Sequence, residues 1–259
     1  MRSSLPPNVK SGDIARLIPI VAETSREKRL ASTFLASLVA IPDLAATLLG
    51  SIGQRVGART KLLAFTEVVF QNQPKNLQDR PDGLLVLHTG RRQWSALVES
   101  KIGRNELTSD QITKYIQIAK DNDIDSVITI SNQFVARPDH SPVKLQRPLS
   151  KSINIYHWSW MFILTQANFL EIDKVIKSES ESYLLNEIIR FLSHTSSGID
   201  SFDRMNKEWK EIVKTVQSGG ILKKSSPEVE KTVASWHQET RDLCLLMSRH
   251  IGRNINLKL

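Results

Sequence analysis

Apolar positions recur at helical spacing from Ser25 to about Ile52, with Leu30, Phe34, Leu38 and Val39 on one stripe. A second helical segment, LAATLLGSIG, follows a break at Pro42. Thr24 and Glu27 have the spacing of a capping box. Three runs rich in β-branched and large apolar residues come next, AFTEVVF, GLLVLHT and WSALVESKI, and read as strands. TSDQITKYIQIAKDN returns to helical spacing, with Ile112, Tyr115, Ile116 and Ala119 as its expected buried stripe. DSVITISN reads as a buried strand and INIYHW as another, before a helix through SWMFILTQANFL.

The polar run KSESES marks a linker or a junction, and everything after it reads as helix. The segments expected are about Tyr183 to Leu192, about Phe202 to Val216, and a third that starts on Ser226 and Pro227, a favourable N-cap and N1 pair. In this third helix Val229, Val233, Trp236, Leu243 and Met247 form an apolar face suited to a bundle core or a dimer seam. The alternating Ile255, Leu257 and Leu259 look like the start of a strand, as if the chain were cut short. The expected fold is α/β: a mixed central sheet flanked by helices over 1–177, then a helical C-terminal region over 178–259.

Gly90 and Arg91 lie midway between two of the strand runs, and glycine at the first central position suits a type II′ hairpin turn. Opposed residue numbers then add to 181, which sets Asp82 opposite Glu99, with Cβ atoms ~4.5–5.5 Å apart. Side-chain alternation puts Glu99 and Lys101 on one face and Ala96, Val98 and Ser100 on the other. Charged groups at one end of an apolar hairpin carry a large desolvation penalty unless they are compensated. A divalent cation between Asp82 and Glu99 would do so, with waters and phosphate oxygens completing an octahedral shell. The plainer solution is a PDG turn at Asp82 and a structural salt bridge from Glu99 to Lys101 or Arg80.

Composition narrows the choice modestly. Lys and Arg outnumber Asp and Glu by 35 to 27, giving a net charge of +8 that suits a polyanionic partner. The single cysteine, Cys244, excludes an intrachain disulfide and reads as a small core residue. No apolar run reaches the ~20 residues that span a bilayer, and IARLIPIVA is broken by Pro19, so a cytoplasmic protein without a membrane partner is expected. The six histidines show no metal spacing, and no phosphate-binding glycine loop occurs. The aromatic cluster YHWSW reads as a core corner.

RPDG at Arg80–Gly83 and ESK at Glu99–Lys101 resemble the PD-(D/E)XK nuclease superfamily, with its restriction-endonuclease-like fold. The element order from about Thr24 to Asn132 is similar as well. The resemblance implies Mg²⁺-dependent phosphodiester hydrolysis, usually of DNA, with Mn²⁺ able to substitute. Asp82 and Glu99 would bind the metal, the Ser100 carbonyl would add a ligand, and Lys101 would position or activate the attacking water. Members often carry a further acid on the first helix. Glu27, on one face with Leu30, Phe34 and Leu38, fills that place, with the capping box as its other reading. Glu67 competes for it, sharing a strand face with Phe65 and Val69, with a salt bridge as its alternative. Gln111 and Tyr115 in QITKY resemble the Q-x-x-x-Y helix of the RecB-like branch, where it supports the site or contacts DNA. Arg91, Arg92, Arg104 and Lys114 are candidates for phosphate-backbone contacts. The expected function is a metal-dependent DNA nuclease, and the alternative is a non-catalytic nucleic-acid-binding or adaptor module on the same fold. The helical C-terminal region is open to partner binding, substrate choice or homodimerisation in the first case, and to docking a partner in the second.

Overall fold

The structure is a computed structural model and describes residues 5–19, 24–72, 80–143 and 153–257. The apolar runs assemble into one six-stranded sheet, in which strand order follows chain order: β1 (Val9–Ile14), β2 (Thr60–Phe70), β3 (Gly83–Thr89), β4 (Arg92–Ser100), β5 (Ser126–Ser131) and β6 (Asn154–Ser159). The pairs from β1 to β4 are antiparallel, and β4–β5 and β5–β6 are parallel, so the sheet is mixed. Around it lie α1 (Arg26–Ala40), α2 (Pro42–Gly50), α3 (Ser109–Asp121), α4 (Trp160–Ile172), α5 (Glu179–Ser193), α6 (Trp209–Gln217) and α7 (Pro227–Ile251). The fold is α/β, as the pattern implies.

Alternation along the strands divides the core into two layers. Leu85, Ala96, Val98, Ile128, Ile130 and Trp158 face α1, α2, α4 and α5. Leu84, Val86, Leu97 and Val127 face the opposite way, onto Tyr115, Ile118 and Ala119 of α3. On α3, Ile118 is therefore in the buried stripe, where sequence spacing had pointed to Ile116. Strand β5 is buried at every position because both of its faces are covered.

The hairpin register is the expected one: Thr89 pairs with Arg92 and Gly83 with Val98, and Gly90 has the positive φ (+61°) its turn requires. Helix α1 crosses the open end of this hairpin at very close range. A Cβ on Gly83 would overlap the Leu35 side chain and crowd the Phe65 carbonyl, so only glycine lets the helix settle there.

Several expectations fail for identifiable reasons. Strand β1, VKSGDI, escapes the pattern because it is a polar edge strand with one buried residue, Val9. KSESES is not a linker: Ser178 caps α5 by accepting from Glu181 N, and its acids occupy the first turn. Nor does packing break at 178, since Leu185, Ile188 and Leu192 of α5 share a core with Leu35 and Trp160. Helix α6 begins at Trp209, well after Phe202. Of the two readings of the apolar face of α7, a bundle core within this chain fails, because that face is turned outward while Leu245, Cys244 and Ser248 are buried. Residues 254–257 form no strand, and Leu259 lies outside the described residues. Among the described residues no single helix is long and apolar enough to cross a membrane. Only the bent pair α1–α2 qualifies by length and composition, and it meets at 105°.

Gly83→Ala is expected to destabilise the protein by about 1–3 kcal/mol in urea unfolding. Combined with Leu35→Ala, its cost should fall below the sum of the single effects. Strict additivity would show that the two positions do not press on each other.

Candidate active site

Four elements deliver side chains to the end of the β3–β4 hairpin. Asp82 directly precedes β3, Glu99 is near the end of β4 and Lys101 directly follows it, Glu27 opens α1, and Gln111 and Tyr115 stand one turn apart on α3. The paired ladder ends at Gly83–Val98, and Asp82 and Glu99 are the next residues beyond it on the two strands. Asp82 Oδ2 accepts hydrogen bonds from Ser100 N and Ser100 Oγ, both at 2.8 Å, so its carboxylate is clamped to the end of β4.

The Lys101 backbone is fixed on both sides. Its N–H donates to the Ile130 carbonyl at 2.8 Å, and its carbonyl accepts from Trp160 Nε1 at 2.9 Å. Trp160 is fully buried and meets Phe34 edge to face, with ring centroids 5.5 Å apart. From this mount Lys101 Nζ donates to Glu99 Oε1 at 2.7 Å and lies 3.6 Å from Glu27 Oε2. Gln111 Nε2 donates to the same Glu99 oxygen at 2.6 Å and lies 3.4 Å from the Tyr115 hydroxyl. Thr108 Oγ1 caps α3 by accepting from Gln111 N, which fixes where Gln111 starts.

Glu27 makes no capping box, because the N-cap is Ser25 and it forms no side-chain cap bond. Instead Glu27 Oε1 accepts from Ile102 N at 3.2 Å and from Asn105 Nδ2 at 2.7 Å, tying α1 to the loop after β4. Asn132 secures that loop from behind, donating to the carbonyls of both Gly103 and Gly198.

The electrostatics are those of buried acids with too little compensation. Glu99 is only 3% exposed, and its Oε2 has no hydrogen-bond partner. Burial first, and the Asp82 carboxylate second, push its pKa up to about 7 against the pull of Lys101. Burial also raises Asp82, opposed by the two Ser100 bonds and by Lys101. Burial alone would lower Lys101, but Glu99, Glu27 and Asp82 together raise it, so the ammonium stays charged. Burial and then the Glu99 charge drive the Tyr115 phenol upward, which keeps it neutral.

Other expected residues fall elsewhere. Glu67 does not share a face with Phe65 and Val69. Its φ of +52° breaks the alternation of β2, so that Val68 and Phe70 follow Phe65 into the core. Its carboxylate pairs with Lys28 at 2.7 Å and Arg80 at 3.9 Å. Glu67 and Asp82 do line one cavity of about 190 Å³, together with Asp13, Arg16 and Lys28. Arg91 and Arg92 sit at the turn; Arg92 is seven residues from Glu99, roughly 24 Å along the strand, too far to serve this site. Arg104 and Lys114 are exposed near it. Ser100 Oγ, Trp160, Asn105 and Asn132 carry no motif that would have singled them out.

Among the described residues no three His, Cys, Asp or Glu side chains are grouped to hold a metal ion unaided. The donor set at Asp82 and Glu99 is two carboxylates, one of them with a bare buried oxygen. Two carboxylates could hold a hard divalent cation only with water or ligand oxygens completing its shell. Comparison of the chain with protein-family models, curated proteins and solved structures finds no significant match.

Because Glu99 holds its proton more tightly in the folded state, the native protein carries an extra proton between pH 4.5 and about 7. Folding stability should therefore fall as pH rises through that window and level off above it. Glu99→Gln is expected to flatten this slope in urea unfolding and to exceed the wild type in stability at alkaline pH. Equal slopes in the two proteins would place the titration elsewhere.

Proposed function

We propose that the chain is a Mg²⁺-dependent nuclease that hydrolyses phosphodiester bonds in DNA, of the PD-(D/E)XK kind. The observation that carries this reading is the bare, buried Glu99 Oε2 beside a clamped Asp82 and a mounted Lys101. A buried carboxylate oxygen without a donor is costly and calls for a cation.

Asp82 and Glu99 would hold that ion, with the Ser100 carbonyl as a further ligand. Bound there, Mg²⁺ supplies an acidified water and positive charge against the charge that develops at phosphorus. The remaining work falls to the chain. Gln111 holds Glu99 Oε1 so that Oε2 stays available. Glu27 is a second carboxylate partner of the Lys101 ammonium, beside Glu99. An ammonium has three donors, and those not taken by Glu99 can hold the attacking water and stabilise its developing hydroxide. Tyr115 stays protonated and adds no charge. The adjoining cavity is of mixed charge, with Arg16 and Lys28 beside Asp13, Glu67 and Asp82, so a phosphate there would meet Arg16 and Lys28.

One observation favours a second reading. The 2.7 Å Lys101–Glu99 pair is already a closed salt bridge, as it would be in a non-catalytic nucleic-acid-binding module that keeps the fold.

The test is cleavage of plasmid, linear and single-stranded DNA with Mg²⁺ or Mn²⁺. Asp82→Ala, Glu99→Ala and Lys101→Ala are each expected to lower the rate by roughly a hundredfold or more. Cleavage that survives all three substitutions overturns the site. Thermal melts add a readout independent of turnover: Mg²⁺ should raise the Tm of the wild type but not of the Asp82 and Glu99 variants. DNA binding with neither cleavage nor a metal shift would favour the second reading.

A further inference from the structure

Helix α7 spends its most apolar surface on solvent. Val233, Trp236, Leu243 and Met247 are 48%, 49%, 52% and 42% exposed, although each is large and apolar. Isolated exposed apolar residues are ordinary, but a continuous stripe of them marks an interaction surface. With Val229 and Thr240, these positions step along the helix by alternate intervals of four and three residues. That alternation is the 3.5-residue repeat of a coiled-coil seam and fits another helix better than a sheet or a small ligand. The seam lies roughly opposite Leu245, which is on the buried face of the helix, and among the described residues Val233, Trp236, Leu243 and Met247 stay exposed.

Helix α6 is unfinished in the same sense. It is nine residues long, strongly amphipathic, and has no buried residue. A helix this short does not persist by itself in water. What holds it is polar: Asn206, just before it, donates to Thr232 Oγ1, and Glu208 pairs with Lys231 at 3.0 Å, both on the first half of α7. Its Trp209 and Val216 remain exposed.

We infer that this face is a homodimer interface, in which α7 packs antiparallel against α7 of a second copy. Two features select the occupant and its direction. First, the helix is charged asymmetrically: Glu228 and Glu230 stand in its first turn, while Arg249 and His250 stand in its last. An antiparallel pair brings each acidic end beside a basic one and opposes the two helix dipoles. A parallel pair would stack like charges. Second, the seam is self-complementary when read backward. With opposed residue numbers adding to 476, Val229 meets Met247, Val233 meets Leu243 and Trp236 meets Thr240, so every seam position has a partner under one twofold axis. In this arrangement α6 of one copy flanks the first half of its own α7 and faces the exposed Leu246 of the other copy. The four helices close into a bundle about 37 Å long, the length of the 25-residue α7.

The inference does not depend on the nuclease reading, and its test involves no nucleic acid. Full-length protein should sediment as a dimer at micromolar concentration, and Leu243→Glu should weaken association roughly tenfold or more while leaving the melting temperature of the monomer intact. Register is tested by oxidative cross-linking in a Cys244→Ser background. Val233→Cys with Leu243→Cys should give a covalent dimer, and either substitution alone should not. A monomer at all concentrations up to about 100 μM would overturn the inference. So would a dimer indifferent to Leu243→Glu, or efficient cross-linking of either single-cysteine protein to itself.

Discussion

The site is governed by the placement of one carboxylate. Glu99 lies at the end of a strand whose neighbours are Val98 and Ser100, on a sheet covered on both faces, and it is nearly inaccessible to water. A charge in such a place needs compensation, and the protein supplies it only in part. Lys101 and Gln111 both address Oε1, the Tyr115 hydroxyl adds a weaker interaction with the carboxylate, and Oε2 has no partner at hydrogen-bond geometry. The raised affinity of Glu99 for a proton is the direct consequence. A mobile cation satisfies the same need, which is why a proton and a metal ion would compete for this position.

The rest of the architecture keeps that arrangement from relaxing. Gly83 lets α1 lie against the hairpin end, and α1 brings Glu27. The parallel crossover through α3 brings Gln111 and Tyr115, and β5 accepts the Lys101 N–H through Ile130. Trp160, at the start of α4, holds the Lys101 carbonyl. Each of these contacts comes from a different element, so the site reports on the whole packed core and not on one loop. The segment from Thr195 to Ile199, beyond α5, also reaches it through Gly198 and Asn132, which makes α5 part of the same unit.

Much of this was legible in the chain, and the gaps have physical causes. The hairpin register could be read because a two-residue turn fixes every pair that follows it, so the pairs from Thr89–Arg92 to Gly83–Val98 followed from Gly90 alone. The buried strands β3, β4 and β5 announced themselves by apolar runs. Strand β1 did not, because an edge strand with a single buried residue has no periodicity to detect. Glu67 was misplaced because alternation presumes regular backbone, and a single residue at φ +52° shifts every later side chain to the other face. The role of Glu27 could not be separated from a capping box, since both ask for an acid in the first turn and only the folded positions of Ser25, Ile102, Asn105 and Lys101 distinguish them. On α7 the periodicity was read correctly, but periodicity does not say whether the partner is the same chain or another copy.

The most direct test of the central claim is a carboxyl-detected NMR titration that follows Glu99 itself. Without metal its pKa should lie near 7, and saturating Mg²⁺ should pull it well below the ordinary glutamate range as the cation takes the place of the proton. A Glu99 that titrates near 4.5 without metal, or whose titration Mg²⁺ leaves unchanged, would contradict the account.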